Sequence, residues 1–351
     1  MPIAASGAVS FSDLRSEFVG GSGAVSFSDL YRGGSNVPAK AANNLGTNLA
    51  ASVPVSGTVN FTNFRSTSKG FRYTYTAGAT NQNASALFGD DYSSAFLKEI
   101  VIESGVELGA TSTADEALQI DAGGAGTITI TNNGILTGAG GAANGGAGGD
   151  AFEANVACTF INNGTIRSGG GGAGRGGNGG TGGGGRYTTT ASTATYYGNR
   201  NTISACQSAA PQYGRVYSYA NAYSQMDTFY YKCYGKVQST VNTNGGGGGS
   251  GGNGGRGEGY NQTRASGSGG AGGANGGTNA GRGGTGGTGG TGGLFGANGA
   301  NGSTGATGNN GNRTNGSGGA GGSSGGAAGK SIRGIANVNL TNSGTITGPQ
   351  A

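Results

Sequence analysis

The sequence predicts a mainly β chain: short helical N-terminal repeats, a β-solenoid-like strand platform, and a lobe built as a bundle of polyglycine-type helices. Three observations predict it. Between Gly245 and Gly329 about half of the residues are glycine, and Gly296, Gly299, Gly302, Gly305, Gly308 and Gly311 hold one phase of a three-residue period. Three residues per turn, rising about 3.1 Å each, is the repeat of an extended left-handed helix with no hydrogen bonds inside itself. Second, one strand–turn motif occurs three times, at Ile130–Leu136, Phe160–Ile166 and Leu340–Ile346, each around Asn-Asn-Gly or Asn-Ser-Gly. Third, the first 66 residues carry a ten-residue repeat rich in serine.

In that repeat, Ser6–Arg15 recurs as Ser22–Arg32 and, more loosely, as Ser56–Arg65. Ser10 and Asp13, and Ser26 and Asp29, have the spacing of a capping box, in which side chains at the cap and third positions satisfy free amides of a starting helix. Phe11, Leu14 and Phe18 then share one helical face, Phe27 and Leu30 repeat it, and Gly20-Gly21 ends the turn. Units this small expose more apolar surface than they bury. Residues 1–66 therefore read as an anchor, their exposed faces too few for an independent core and packed on each other or on another protein.

Residues 67–167 switch to short alternating strands broken by Gly, Asn and Asp. Stacked coils would set the repeated asparagines at equivalent corners; hairpins of a sandwich are the alternative, since Asn-Gly is also a hairpin signal. The glycine region 168–329 leaves after the second strand–turn copy and returns before the third, so it reads as a lobe and not as a linker. The closing strands in 330–351 are then expected beside 158–166. Ordering glycine costs about 1–2 kcal/mol per residue, so each extended run must satisfy its N–H and C=O groups on neighbouring runs. A collagen helix is excluded by the absence of proline, and composition alone would suit a flexible tether.

Inside the lobe, 186–244 differs in composition and holds ten of the fifteen tyrosines. Tyrosine offers rigid, amphipathic contact area at low entropic cost, which makes Tyr196, Tyr197, Tyr217, Tyr219, Tyr230 and Tyr231 binding candidates; some of the ten must also form the insert's own core. Tyr260, in the turn from Glu258 to Asn261, and Asn310 and Arg313, in the turn from Asn309, form a second candidate set. A Cys206–Cys233 bridge would staple a segment otherwise short of core, with Cys158 left over.

Several chemistries are excluded. No histidine is present, so Ser-His-Asp, Cys-His and His-containing zinc sites are absent. The paired acids Asp90-Asp91 and Glu99 with Glu103 read as solvated surface, and Gly329-Lys330-Ser331 lacks the earlier glycine of a phosphate-binding loop. No metal, cofactor or enzymatic activity is expected. A net charge of +5, spread thinly, implies neither nucleic acid nor an acidic membrane. No apolar run suggests membrane insertion, and the first residues lack the pattern of a signal peptide, which points to synthesis in the cytoplasm.

The Ser-Gly-Ala-Val-Ser-Phe-Ser-Asp-Leu units, with Tyr31-Arg32-Gly33-Gly34-Ser35, resemble the N-terminal repeats of virion proteins from tailed bacteriophages. Residues 127–351, where Asn162-Asn163-Gly164-Thr165-Ile166 precedes long glycine runs and Lys330-Ser331-Ile332 leads back into strands, resemble the glycine-rich adhesins of phage tail fibres. The tyrosine-rich insert departs from that pattern. The resemblance implies a non-enzymatic receptor-binding tip in the virion. Its N-terminal repeats would join other tail or fibre proteins, and its loops would touch a host surface polysaccharide or outer-membrane protein. A purely structural virion component, decorating the capsid or assisting tail assembly, is the alternative.

Overall fold

The computed structural model describes residues 3–192, 194–200, 202–209, 215–225 and 228–351. The chain is mainly β, and its parallel strands fall into three sheets that it visits in rotation. The first sheet runs Gly70–Tyr75, Leu97–Ile102, Ile128–Asn132, Cys158–Asn162 and Val338–Asn342, with the short Thr47–Asn48 added antiparallel at one edge. The second holds Ala79–Thr80, Glu107–Gly109, Ile135–Thr137, Thr165–Arg167 and Thr345–Thr347. The third holds Gln82–Asn83, Leu118–Ile120, Phe152–Ala154 and Ile332–Arg333.

The alternation of each strand explains this arrangement. Ile128–Asn132 and Cys158–Asn162 bury every second residue, as the two-residue period of a strand requires. The inward residues of successive circuits meet in one core, where Ile100, Ile130, Phe152, Phe160, Ile166 and Ile332 are fully buried. At the corner, Asn132 donates to Asn162 (2.8 Å), which donates to Asn342 (2.7 Å). The repeated asparagines therefore occupy equivalent corners, each satisfying the amide of the next. The closing strand pairs in register with its predecessor, Cys158 opposite Val338 through Asn162 opposite Asn342.

The lobe grows from one turn of this path. Between the second and third sheets the chain needs only Asn81 in the first circuit, 110–117 in the next, 138–151 in the third and 168–331 in the fourth. Each longer turn lies on the one before. Gly138 N–H donates to Arg167 O, Gly169 N–H to Gly149 O, and Gly148 N–H to Ala327 O, at 2.9 Å each.

Among the described residues, the glycine region forms six extended runs, 168–185, 244–258, 264–277, 280–294, 297–311 and 315–330, which alternate in direction. The first run is the central one. Gly170 N–H donates to Glu258 O in the second run, Gly171 to Ala297 O in the fifth and Gly172 to Gly146 O in the shorter turn; three residues on, Ala173 and Gly174 return to Gly255 and Ala300. The N–H groups of Gly170, Gly171 and Gly172 thus reach carbonyls on three different neighbours, whereas Arg175 N–H donates to Ser323 Oγ (2.7 Å). Arg175, Asn178 and Thr181, one turn apart, are the exposed positions of this buried run.

The insert is a sheet and not a loop. Its long strand Thr228–Thr243 pairs antiparallel with Gly185–Thr190, Thr195–Arg200 and Arg215–Gln225. The helix Ile203–Ala209 is bonded to it through Cys206 and Cys233, whose Cα atoms are 5.4 Å apart. Cys158 is a buried free thiol, and burial pushes its pKa up to about 11.

The N-terminal repeats correct the expectation of open apolar faces. Leu14, Phe18 and Leu30 are fully buried, in a core shared with Val37, Ala50 and Phe64. The linking segment 33–55 supplies the partners that the repeats lack by themselves. Only the first ring of each unit stays near the surface: Phe11 is 40% exposed, and Phe27 and Phe61 are half-buried. Both capping boxes form, and Asn60 with Asn63 makes a third.

Candidate functional site

The two candidate turns lie at opposite ends of the lobe. The turn 258–262 sits against the strand platform: Tyr260 N–H donates to Gly138 O (3.1 Å), and the Tyr260 ring covers Gly109, where a Cβ would fall 2.1 Å from the ring. Tyr260 is thus a packing residue beneath the lobe, held by the one residue type that leaves room for its ring. Asn310 and Arg313 are exposed at the far end. At an extended rise of roughly 3 Å per residue, the runs separate the two ends by about 40 Å.

The insert emerges at that far end, where two turns clamp its root. Arg186 N–H donates to Asn312 Oδ1 (2.7 Å), and Arg186 O accepts from Asn312 Nδ2 (2.8 Å) and Asn279 Nδ2 (3.1 Å). On the other arm, Thr243 Oγ1 donates to Thr278 O (2.7 Å). Asparagine suits these turns because its amide both donates and accepts, and it tolerates a left-handed backbone, as Asn279 does at φ 59°.

Backbone register sets Tyr196, Tyr234 and Tyr219 in one row across three strands of the insert, and Tyr223 opposite Tyr230. Tyr213 and the side chains of Tyr196, Tyr197, Tyr217, Tyr219 and Tyr230 lie outside the described residues. Tyr231 is half-buried against Cys206, Ala209 and Cys233, so part of its ring serves the insert's own core.

Of the four acidic candidates, Asp90 and Glu103 are exposed, whereas Asp91 and Glu99 act as structural ties. Asp91 accepts from Ala41 N–H and Asn44 Nδ2 (2.8 Å each), and Glu99 pairs with Arg72 (2.6 Å). Where the lobe returns, Arg333 bridges Asp150, Glu116 and Glu153, and burial, followed by the neighbouring Glu153, raises the Glu116 pKa. Arg167 pairs with Glu107 (3.0 Å) and stacks 4.1 Å from the Phe295 ring, fixing the turn 294–297. Among the described residues no cluster of His, Cys, Asp and Glu could hold a metal ion, and no helix is long and apolar enough to cross a membrane.

The whole-chain net charge of +5 hides an uneven placement of charge. Residues 168–329 hold ten of the twenty basic residues and two of the fifteen acidic ones, a net +8 against −3 for the rest.

No curated protein matches the chain in sequence. The solved gp37–gp38 adhesin tip complex of the bacteriophage S16 long tail fibre aligns over 85% of this chain and 89% of that one, at 16% identity and a TM-score of 0.34, too low to carry an argument. Residues 70–226 match the family described as phage tail fibre adhesin Gp38. That match runs from the first parallel strand through the central glycine run and into the insert, and over this stretch the chain is similar to the Gp38 family of phage tail fibre adhesins.

Proposed function

We propose that this chain is an adhesin that sits at the tip of the tail fibre and reads a host-surface receptor with the insert 186–244. In this reading 67–167 and 330–351 form a β-solenoid platform, and 168–329 is a polyglycine-type bundle that carries the insert away from it. The observation that carries the reading is the clamp of the insert's root by Asn279 and Asn312, at the end of the lobe opposite the platform. A rigid spacer ending in the one tyrosine-rich segment suits recognition, because stable interfaces depend on aromatic or arginine anchors. Asn310 and Arg313 lie beside the root as secondary contacts.

The N-terminal repeats are the attachment module. Phe11, Phe27 and Phe61 come from equivalent positions of the three copies, and their ring centroids are 4.9 to 5.0 Å apart in all three pairs. Leu14, Leu30 and Phe64 lie buried three residues after each ring. Three like units around one aromatic point suit a contact with another tail or fibre protein, since aromatic rings are common interface anchors.

The test replaces 187–243 with a short Gly-Ser bridge and measures adsorption to host cells together with hydrogen exchange. Loss of adsorption with the lobe amides still protected is the expected result. Unchanged adsorption would move the reader to the turns at 277–280 and 311–315.

A further inference from the structure

We propose that the far end of the lobe carries an anion-binding collar, formed by Arg186, Arg282 and Arg313, that takes phosphate or carboxylate groups of an acidic host-surface polysaccharide. The proposal rests on the adhesin reading above and adds the chemical class of its receptor. Three segments distant in sequence carry these arginines at one end of the lobe: the insert's root, the start of the fourth run, and the turn after the fifth. Gly281 N–H donates to Gly183 O (2.8 Å), Asn309 N–H to Arg282 O (2.8 Å) and Arg313 N–H to Gly184 O (3.1 Å).

All three side chains are exposed. Arg186 Nε donates to Asn242 Oδ1 (3.3 Å) and Arg282 Nε to Gly273 O (3.0 Å), so neutral partners orient these two guanidiniums. Among the described residues no carboxylate pairs with any of the three, whereas Arg72, Arg167 and Arg333 in the platform are all ion-paired. Glu258, the lobe's one described acid, is at the other end and accepts from Phe295 N–H (3.2 Å); Asp227 lies outside the described residues. A fold that pairs its platform arginines and leaves these unpaired presents donors whose fork geometry matches carboxylate and phosphate.

A glycan suits the collar better than an acidic protein loop does. Asn242, Asn279, Asn310, Asn312 and Thr314 lie in the same segments and offer amides and hydroxyls to sugar hydroxyl groups. The exposed large hydrophobics of the described lobe are elsewhere, Leu294 beside the platform and Ile203 on the insert's helix.

The experiment uses the full chain and the combined variant Arg186→Gln, Arg282→Gln, Arg313→Gln, which leaves the insert and the backbone clamp in place. Adsorption is measured on untreated host cells, on protease-stripped cells and on periodate-oxidised cells. A competition arm uses extracted surface polysaccharide, native or with its phosphates removed and carboxylates amidated. The variant is expected to lose about tenfold or more in adsorption at low salt, with lobe hydrogen exchange unchanged, and the native chain's adsorption to weaken with added salt. Adsorption should survive proteolysis, fail after oxidation, and be competed by the native polysaccharide alone. Unchanged adsorption of the variant, or adsorption lost to protease and indifferent to periodate, overturns the collar; the second result makes the receptor a protein. If the insert replacement abolishes adsorption and the arginine variant does not, the collar fails while the adhesin reading stands. A native chain that does not adsorb at all removes both.

Discussion

At Gly305 a single hydrogen is all that fits between two runs: a Cβ there would lie 2.1 Å from Asn178 O and 2.4 Å from its carbon. Both atoms are backbone and belong to the central run, so neither can swing away. Gly318 and Gly321 share the same glycine-rich composition, yet a Cβ at either meets nothing within 4 Å. Gly305→Ala should therefore destabilise the lobe by about 1–3 kcal/mol, as overpacking does. Gly318→Ala should be neutral or stabilise by about 0.4–1 kcal/mol through the unfolded chain. Thermal unfolding and hydrogen exchange of 299–311 check the pair; equal effects at the two positions would mean that the runs are not packed backbone to backbone. Composition cannot separate these glycines, because a three-residue period states that one edge is bare and not which neighbour covers it.

At the scale of elements, the N-terminal repeats show how local signals and packing divide the work. The capping boxes follow from spacing alone: Ser10 N–H and Oγ–H both donate to Asp13 Oδ2 at 2.8 Å, and these bonds hold the Asp13 carboxyl below its usual range. Asp29 is lowered in the same way by Ser26, the backbone N–H contributing most. What spacing did not reveal is that Leu14, Phe18 and Leu30 turn inward together. Of the repeats' large apolar residues, the rings that remain near the surface are then Phe11, Phe27 and Phe61. Replacing all three with Ser should leave the fold, since the buried residues beneath are untouched, and should reduce incorporation into fibres by at least about tenfold if each ring contributes on the order of 1 kcal/mol. Particle composition by immunoblot reads the outcome, and undiminished incorporation would place attachment on another face.

For the whole molecule, stability should depend on pH through buried groups with displaced pKa values. Lys98 is fully buried, and its ammonium donates to the carbonyls of Ser94, Phe96 and Ala125 at 2.6 to 3.0 Å. Burial lowers its pKa from 10.5 to about 8, against a smaller opposing pull from Asp91. Between those values the unfolded chain binds the proton more tightly, so stability rises with pH above about 8. Cys158 works the other way: its pKa rises from 9.0 to about 11, so stability is lost as the unfolded thiol ionises above 9. Tyr75 and Tyr92, raised from 10.0 chiefly by burial, add to that loss above 10. The expected profile gains about 1 kcal/mol from pH 8 to 9, flattens, and falls above 10. Chemical denaturation at pH 7.5, 9 and 11 measures it; Lys98→Met should abolish the early rise and Cys158→Ala should extend it.

The sequence by itself determined whatever depends on local periodicity. The three-residue glycine phase, the Asn-Gly corners in 130–136, 160–166 and 340–346, and the Ser-to-Asp caps each specify a backbone conformation within a few residues, and their physical causes lie inside that window. Tertiary structure decided what depends on which distant segments meet. It buried the repeat faces under 33–55, set Tyr260 against Gly109 beside the platform, and gathered Arg186, Arg282 and Arg313 at the other end of the lobe. No local pattern encodes those meetings, because a glycine run has almost no side chains to announce its neighbours. Its partners are chosen by backbone N–H and C=O groups that look alike along every run, and only the closing of the strand circuits, where the lobe leaves at Ser168 and returns at Ser331, sets which run lies beside which.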